Sequence, residues 1–245
     1  MSKIEEALNK SRASSGREIA NYRKRNAITN NNSLALMPIG TSISNEELSK
    51  LKIIYPAMDE QNILNEFRSI RAALTKRLKG KNACIMIFAT EPGGGASYFS
   101  ANLAASISLD PEKTALLINC DFKNKPQYEE LINGGKYGLI DYLSGEVGVE
   151  EIIHSVGLER LRIIPSYNTG SMFSEYFSTS KFINLIDEIT TRYRERFIII
   201  DAPSSKEEAN VKLLEEYADY VILVVPSGKN NINQINKAKN LISKE

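Results

Sequence analysis

Histidine and cysteine are scarce in this sequence, and neither sign of charge is in excess. The one histidine, His154 in EEIIHSVG, has no cysteine or second histidine beside it, which argues against a zinc site and leaves a surface or helix-end residue. Cys84 and Cys120, the two cysteines, lie inside apolar strand-like runs and read as reduced core thiols of a cytosolic protein. Lys and Arg number 31 against 30 Asp and Glu, a net charge of +1, so no global field points to nucleic acid or an anionic membrane. Every apolar run is well short of the roughly 18 residues of a spanning helix, and no signal peptide opens the chain. Membrane association is therefore expected only through a partner.

The 245 residues, 42% of them hydrophobic, suffice for one sizeable core and an appendage. Residues 1–26 carry seven basic and three acidic side chains with Ile4, Leu8 and Ile19 as sparse apolar anchors, the pattern of a basic helix, docking arm or frayed tail. From Ala27 to Asn45, AITNNNSLALMPIGTSISN is rich in Asn and Ser and reads as a linker. The expected division is thus an arm and linker over 1–45 and an α/β domain over 46–245.

Within that domain, short β-rich runs at Ala83–Ala89, Ala115–Cys120, Leu161–Ile164, Phe197–Ile200 and Tyr220–Val225 are almost continuously apolar, as strands buried on both faces require. Helical patterns separate them at Ile63–Leu78, Tyr98–Ser108, Phe182–Tyr193 and Ile232–Ile242. The alternation predicts an α/β fold: a doubly wound parallel sheet with flanking helices and right-handed crossovers. In such sheets ligands sit at the carboxyl ends of the strands.

Three loops fall at those ends. Pro92-Gly93-Gly94-Gly95-Ala96-Ser97 joins strand to helix, where glycines let backbone N–H groups curl around an anion and the helix N-terminus adds its dipole. Ile118-Asn119-Cys120-Asp121-Phe122-Lys123 ends the second strand, and Ile200-Asp201-Ala202-Pro203 ends the fourth. An apolar strand ending in Asp is how P-loop proteins place a carboxylate for Mg²⁺, and the order of the three loops predicts the P-loop fold. Nucleotide contacts are expected from Pro92, Gly93, Gly94, Gly95, Ala96, Ser97 and Asn119, and a partial metal site from Ser97, Asp121 and Asp201.

These motifs, with GLIDYLSGE (138–146), EYFSTSKFINLIDEI (175–189) and ADYVILVV (218–225), resemble the bacterial tyrosine kinases of capsule and exopolysaccharide systems, relatives of the MinD and ParA ATPases. The similarity runs from about Asn62 to Ile242 and also covers the opening MSKIEEALNKSR. The resemblance implies ATP or ADP with Mg²⁺ as ligands. It also implies the cytosolic tail of a membrane polysaccharide co-polymerase as partner, and ring assembly through the helix bearing Arg68 and Arg71.

Against that pattern the departures cluster at the site. Ala96 stands where the family's loop has Lys, Asn119 where it has the first Asp of I-D-x-D, Lys123 where it has Arg, and Asn210 where it has an acid. The acid preceding Arg68 and Arg71 is displaced by one position, to Glu66. A C-terminal tyrosine cluster and a last strand are not found after NINQINKAKNLISKE. An engineered Lys→Ala change would leave the same Ala96, but Asn119 and Asn210 argue for divergence. Phosphoryl transfer depends on positioning and charge neutralisation, and one charge-assisted hydrogen bond contributes about 1.5–3 kcal/mol. Lys123 or Lys125 could replace the missing cation, while Glu91 adds an unfavourable charge.

Weak or lost nucleotide binding and no tyrosine phosphorylation are expected, in a cytoplasmic regulatory protein recruited to the membrane by its partner. An active autokinase or ATPase would instead phosphorylate a tyrosine such as Tyr217 or Tyr220. A MinD- or ParA-like positioning ATPase would need a membrane-seeking tail or a competent lysine.

Overall fold

A computed structural model describes residues 43–79, 81–167, 174–191 and 196–242; the basic arm and the linker up to Ser42 lie outside them. Helix α1 (Asn45–Lys50) opens on a capping box in which Ser44 Oγ accepts the Glu47 N–H at 3.2 Å and Glu47 Oε2 accepts the Ser44 N–H at 2.9 Å. Helix α2 (Gln61–Arg77) follows, and then the alternating part begins.

Strand β1 (Cys84–Ala89) leads into α3 (Ala96–Ser108) and β2 (Thr114–Asn119). A 3-10 turn at Gln127–Leu131 precedes two short helices, α4 (Leu139–Ser144) and α5 (Val149–Ile152), and then β3 (His154–Ser155) and β4 (Leu161–Ile164). After a 3-10 turn at Ser174–Ser178 come α6 (Ser180–Thr191), β5 (Arg196–Asp201), α7 (Glu208–Glu215), β6 (Tyr220–Val224) and α8 (Ile232–Lys239).

The six strands lie in the order β3-β4-β2-β5-β1-β6. All pairs are parallel except β3 with β4. The chain steps across β5 from β1 to β2, and in the opposite sense across β1 from β5 to β6. That reversal is the doubly wound arrangement, and it opens a crevice above the carboxyl ends of β1, β2 and β5.

Period-two alternation divides the sheet between two cores. Ile85, Ile87, Leu117, Ile163 and Ile199 pack with Leu64, Phe67 and Leu103 on the face covered by α2 and α3. Met86, Phe88, Leu116, Ile198 and Ile200 pack with Phe182, Leu185, Val211 and Leu214 of α6 and α7 on the other. Four strands are buried along their whole length, whereas β6, at the edge, is half-buried at all five residues rather than covered on both faces.

Cys84 and Cys120 are buried and not joined in a disulfide. His154 sits just past a helix end, in the short antiparallel strand, where its Nε2 lies 2.7 Å from the Tyr137 carbonyl oxygen. Among the described residues, no helix is long and apolar enough to cross a membrane.

Candidate nucleotide-loop site

β1 ends at Ala89, and the chain must turn sharply to start α3 at Ala96. Two glycines make the turn, Gly93 at φ 69° and Gly95 at φ 95°, both in the left-handed region that costs other residues strain. Gly94 is required for a different reason: a Cβ there would lie 2.7 Å from Ala89 Cβ and 2.8 Å from the Glu91 carbonyl oxygen. Thr90 ties the loop down, its N–H donating to Val224 O at 3.1 Å and its carbonyl accepting from Ser205 Oγ at 2.6 Å.

The loop encloses a cleft of about 200 Å³. Pro92, Gly93, Gly94, Gly95, Ala96 and Ser97 line one side, and Glu91, Asp121, Asn124 and Ser204 are also on its wall. Among the described lining residues there is no Lys or Arg, while two are acids. Lys123 does not reach the cleft, because its Nζ pairs with Glu207 Oε1 at 2.9 Å; Lys125 is exposed and off the wall.

Asn119 and Asp201 lie beneath the cleft rather than on its wall. They are paired across β2 and β5, and both are fully buried. Asp201 Oδ2 accepts the Tyr128 hydroxyl at 2.8 Å, and Oδ1 accepts Ser100 Oγ at 3.3 Å. Burial pushes the Asp201 carboxyl up to about 7, against the hydrogen bonds from Tyr128, Ser97 and Ser100, and the Asp121 charge adds to the rise. Burial raises Asp121 too, opposed by hydrogen bonds from Asn124 and Lys123.

Asn119 donates from Nδ2 to Glu129 Oε1 at 2.8 Å and to Ser166 Oγ at 3.2 Å, while its Oδ1 accepts the Asp121 N–H at 2.9 Å. Asn210 donates to Glu207 Oε2 at 2.9 Å, and its buried Oδ1 has no hydrogen-bond partner.

Ser97, Asp121 and the glycine loop are thus brought together on one cleft, with Asp201 one layer below and linked to Ser97 by a hydrogen bond. The backbone cradle has the shape for a phosphate, and Ser97 with Asp121 supplies hard oxygens suited to Mg²⁺. Asp201 fits less well, because Tyr128 occupies one carboxylate oxygen. Among the described residues, no group of three or more His, Cys, Asp or Glu is arranged to hold a metal ion.

Tyr128, Ser100, Glu129 and Ser166 escape sequence reasoning, since none belongs to a loop motif. Ser100 alone carries a signal, lying three residues after Ser97 on the same helix face. Arg71 is engaged within the chain, donating to Ser106 O at 2.6 Å, whereas Arg68 reaches Asn65 Oδ1 at 3.5 Å.

No protein-family model matches the sequence. Tyrosine-protein kinase CpsD of Streptococcus agalactiae serotype III is 28% identical over 195 residues, 78% of this chain and 82% of CpsD. CapB of Staphylococcus aureus, also named for a tyrosine-protein kinase, is 25% identical over 186 residues, 76% of this chain and 80% of CapB. This chain is a homologue of the bacterial tyrosine kinases. It spans only 23% of the longer tyrosine kinase EpsB of Ralstonia solanacearum, at 27% identity over 173 residues.

Solved structures agree on the fold. The VpsO kinase domain superposes with a TM-score of 0.63 at 26% identity, covering 76% of this chain and 92% of that domain. The chimerical protein CapA2B2 gives 0.68 at 24% identity, covering 84% and 88%. The MinC:MinD cell-division complex of Aquifex aeolicus gives 0.51 at 23% identity, covering 64% and 61%, a likeness of fold.

Proposed function

We propose that this protein is a tyrosine-kinase-like binding module that regulates capsule or exopolysaccharide synthesis or export, with nucleotide binding weak or lost and no tyrosine phosphorylation. One observation carries the reading: a phosphate-shaped loop whose cleft holds Glu91 and Asp121 and, among its described lining residues, no cation. Only backbone N–H groups and neutral side chains such as Ser97 and Asn124 then face a polyphosphate beside two acids, and among the described lining residues no cation supplies the charge neutralisation on which phosphoryl transfer depends.

The partner proposed is the cytosolic tail of a membrane polysaccharide co-polymerase, which would recruit the protein to the inner face of the membrane. Support comes from the homology to CapB and EpsB and from the CapA2B2 chimera as a structural neighbour. Self-assembly through α2 would draw on Arg68 and on the donors of Arg71 left over from its bond to Ser106 O.

The active-enzyme reading has one observation in its favour, the retained contact of Ser97 and Asp201. Its acceptor tyrosines fit less well. Tyr217 is 5% exposed and donates to Phe177 O at 2.6 Å, and Tyr220 lies in β6 beneath the Arg77 guanidinium.

Calorimetric titration of Mg·ATP and Mg·ADP into the native protein and the Ala96→Lys variant separates the readings. The expected result is weak or absent native binding and at least about tenfold tighter binding by the variant, the effect of one charge-assisted hydrogen bond. Tight native binding with magnesium-dependent autophosphorylation would overturn the proposal.

A further inference from the structure

We propose that Glu129 is a positioning residue for the cleft: its buried carboxylate orients the Asn119 amide, and Asn119 in turn holds Asp121. Only the use of Asp121 by a ligand rests on the function proposed above; the relay itself does not.

The hydrogen-bond capacity of Asn119 is matched in one orientation only. Its Nδ2 carries two hydrogens, which go to Glu129 Oε1 at 2.8 Å and Ser166 Oγ at 3.2 Å, and Oδ1 takes the Asp121 N–H at 2.9 Å. A flipped amide would set Oδ1 against the Glu129 carboxylate and Nδ2 against the Asp121 N–H, two mismatches in a fully buried place.

Glu129 therefore decides which way Asn119 points. It is itself 4% exposed and is anchored by the Ser166 N–H at 3.0 Å. Asp121, once held at its N–H, caps the following turn by accepting from Lys123 N at 3.2 Å and Asn124 Nδ2 at 2.8 Å. Glu129 does not line the cleft, so its influence there passes through Asn119 to Asp121.

The same geometry makes Asn119 and Glu129 a matched pair. An aspartate at 119 would keep the acceptor for Asp121 N–H but would set one buried carboxylate against another, with no N–H between them. Glutamine at 129 keeps an acceptor for Asn119 and Ser166, but it cannot rescue an aspartate at 119, because Asn119 Nδ2 and the Ser166 N–H meet on the same oxygen and an NH2 placed there would face the Ser166 N–H.

The experiment compares the full chain with Glu129→Gln, Glu129→Ala and Asn119→Asp. Amide hydrogen exchange is followed at Asp121 and, as control, at Ile199 in the centre of the sheet, together with the urea midpoint. Glu129→Gln should leave Asp121 exchange within about twofold of native, and Glu129→Ala should speed it about tenfold relative to Ile199, the loss of one buried hydrogen bond.

Asn119→Asp, which sets two buried carboxylates against each other, should lower the midpoint at neutral pH. Unchanged Asp121 exchange in a folded Glu129→Ala protein would overturn the proposal. So would an Asn119→Asp protein whose midpoint is no lower than the native one. None of these readouts involves nucleotide, so a failed titration at Ala96 and a failed relay are separate results.

Discussion

Asp201 illustrates how a single residue can be placed by pattern and yet have its chemistry set elsewhere. An apolar strand ending in Asp was enough to single it out, but the hydroxyls of Tyr128 and Ser100 that hold it come from a 3-10 turn and a helix far away in sequence. Burial raises its carboxyl to about 7. For an acid raised in the folded state, the folded protein binds more protons than the unfolded one between the two values, so stability falls as pH rises through that window. Asp201 should therefore subtract from stability between about pH 4 and pH 7. Asp201→Asn should flatten that slope and be the more stable protein at pH 8. Urea unfolding of both at pH 5 and pH 8 tests this, and a native midpoint that changes across the interval no differently from that of Asp201→Asn would contradict it.

Among the elements, α3 does two jobs, one at each end of its first turns. Its N-terminus faces the cleft through Ala96 and Ser97, while buried Asn102 holds the segment after α1. Asn102 Oδ1 accepts the Ile54 N–H at 2.8 Å, and Nδ2 donates to Lys52 O at 3.0 Å and Tyr98 O at 2.9 Å. Asn102→Ala leaves buried backbone groups unpaired, and a cost of about 1–3 kcal/mol is expected in urea unfolding, with faster proteolysis after Lys52. Equal proteolysis of the two proteins would show that α1 is held by its apolar contacts alone. Five of the six strands and the helices α2, α3, α6 and α8 were legible in the sequence because their apolar period was sustained. The two-residue β3 and the helices α1, α4 and α5, only 6, 6 and 4 residues long, were too short for a period to stand out, and α7 was also missed although at 8 residues it is as long as α8.

At the scale of the whole molecule, one sheet joins two cores, so damage to either face should weaken the same transition. Leu103 and Phe182 are both fully buried, on opposite sides of the sheet. Leu103→Ala should cost about 2–5 kcal/mol and Phe182→Ala about 3–5 kcal/mol. Because the two sites share no contacts, the double variant should show their sum in a single cooperative unfolding curve. Two separated transitions would instead mean that the faces unfold independently. The alternating strand and helix patterns alone determined the α/β class, the parallel sheet and the three strand-end loops, because apolar period and turn residues are local properties of the chain. Only the tertiary structure decided that the cleft wall is acidic, that Lys123 is turned away to Glu207, and that Tyr128 and Glu129 close the strand ends from below. Those outcomes depend on which distant side chains meet, and on burial that gives each hydrogen bond and charge its weight, neither of which is a property of any short stretch of sequence.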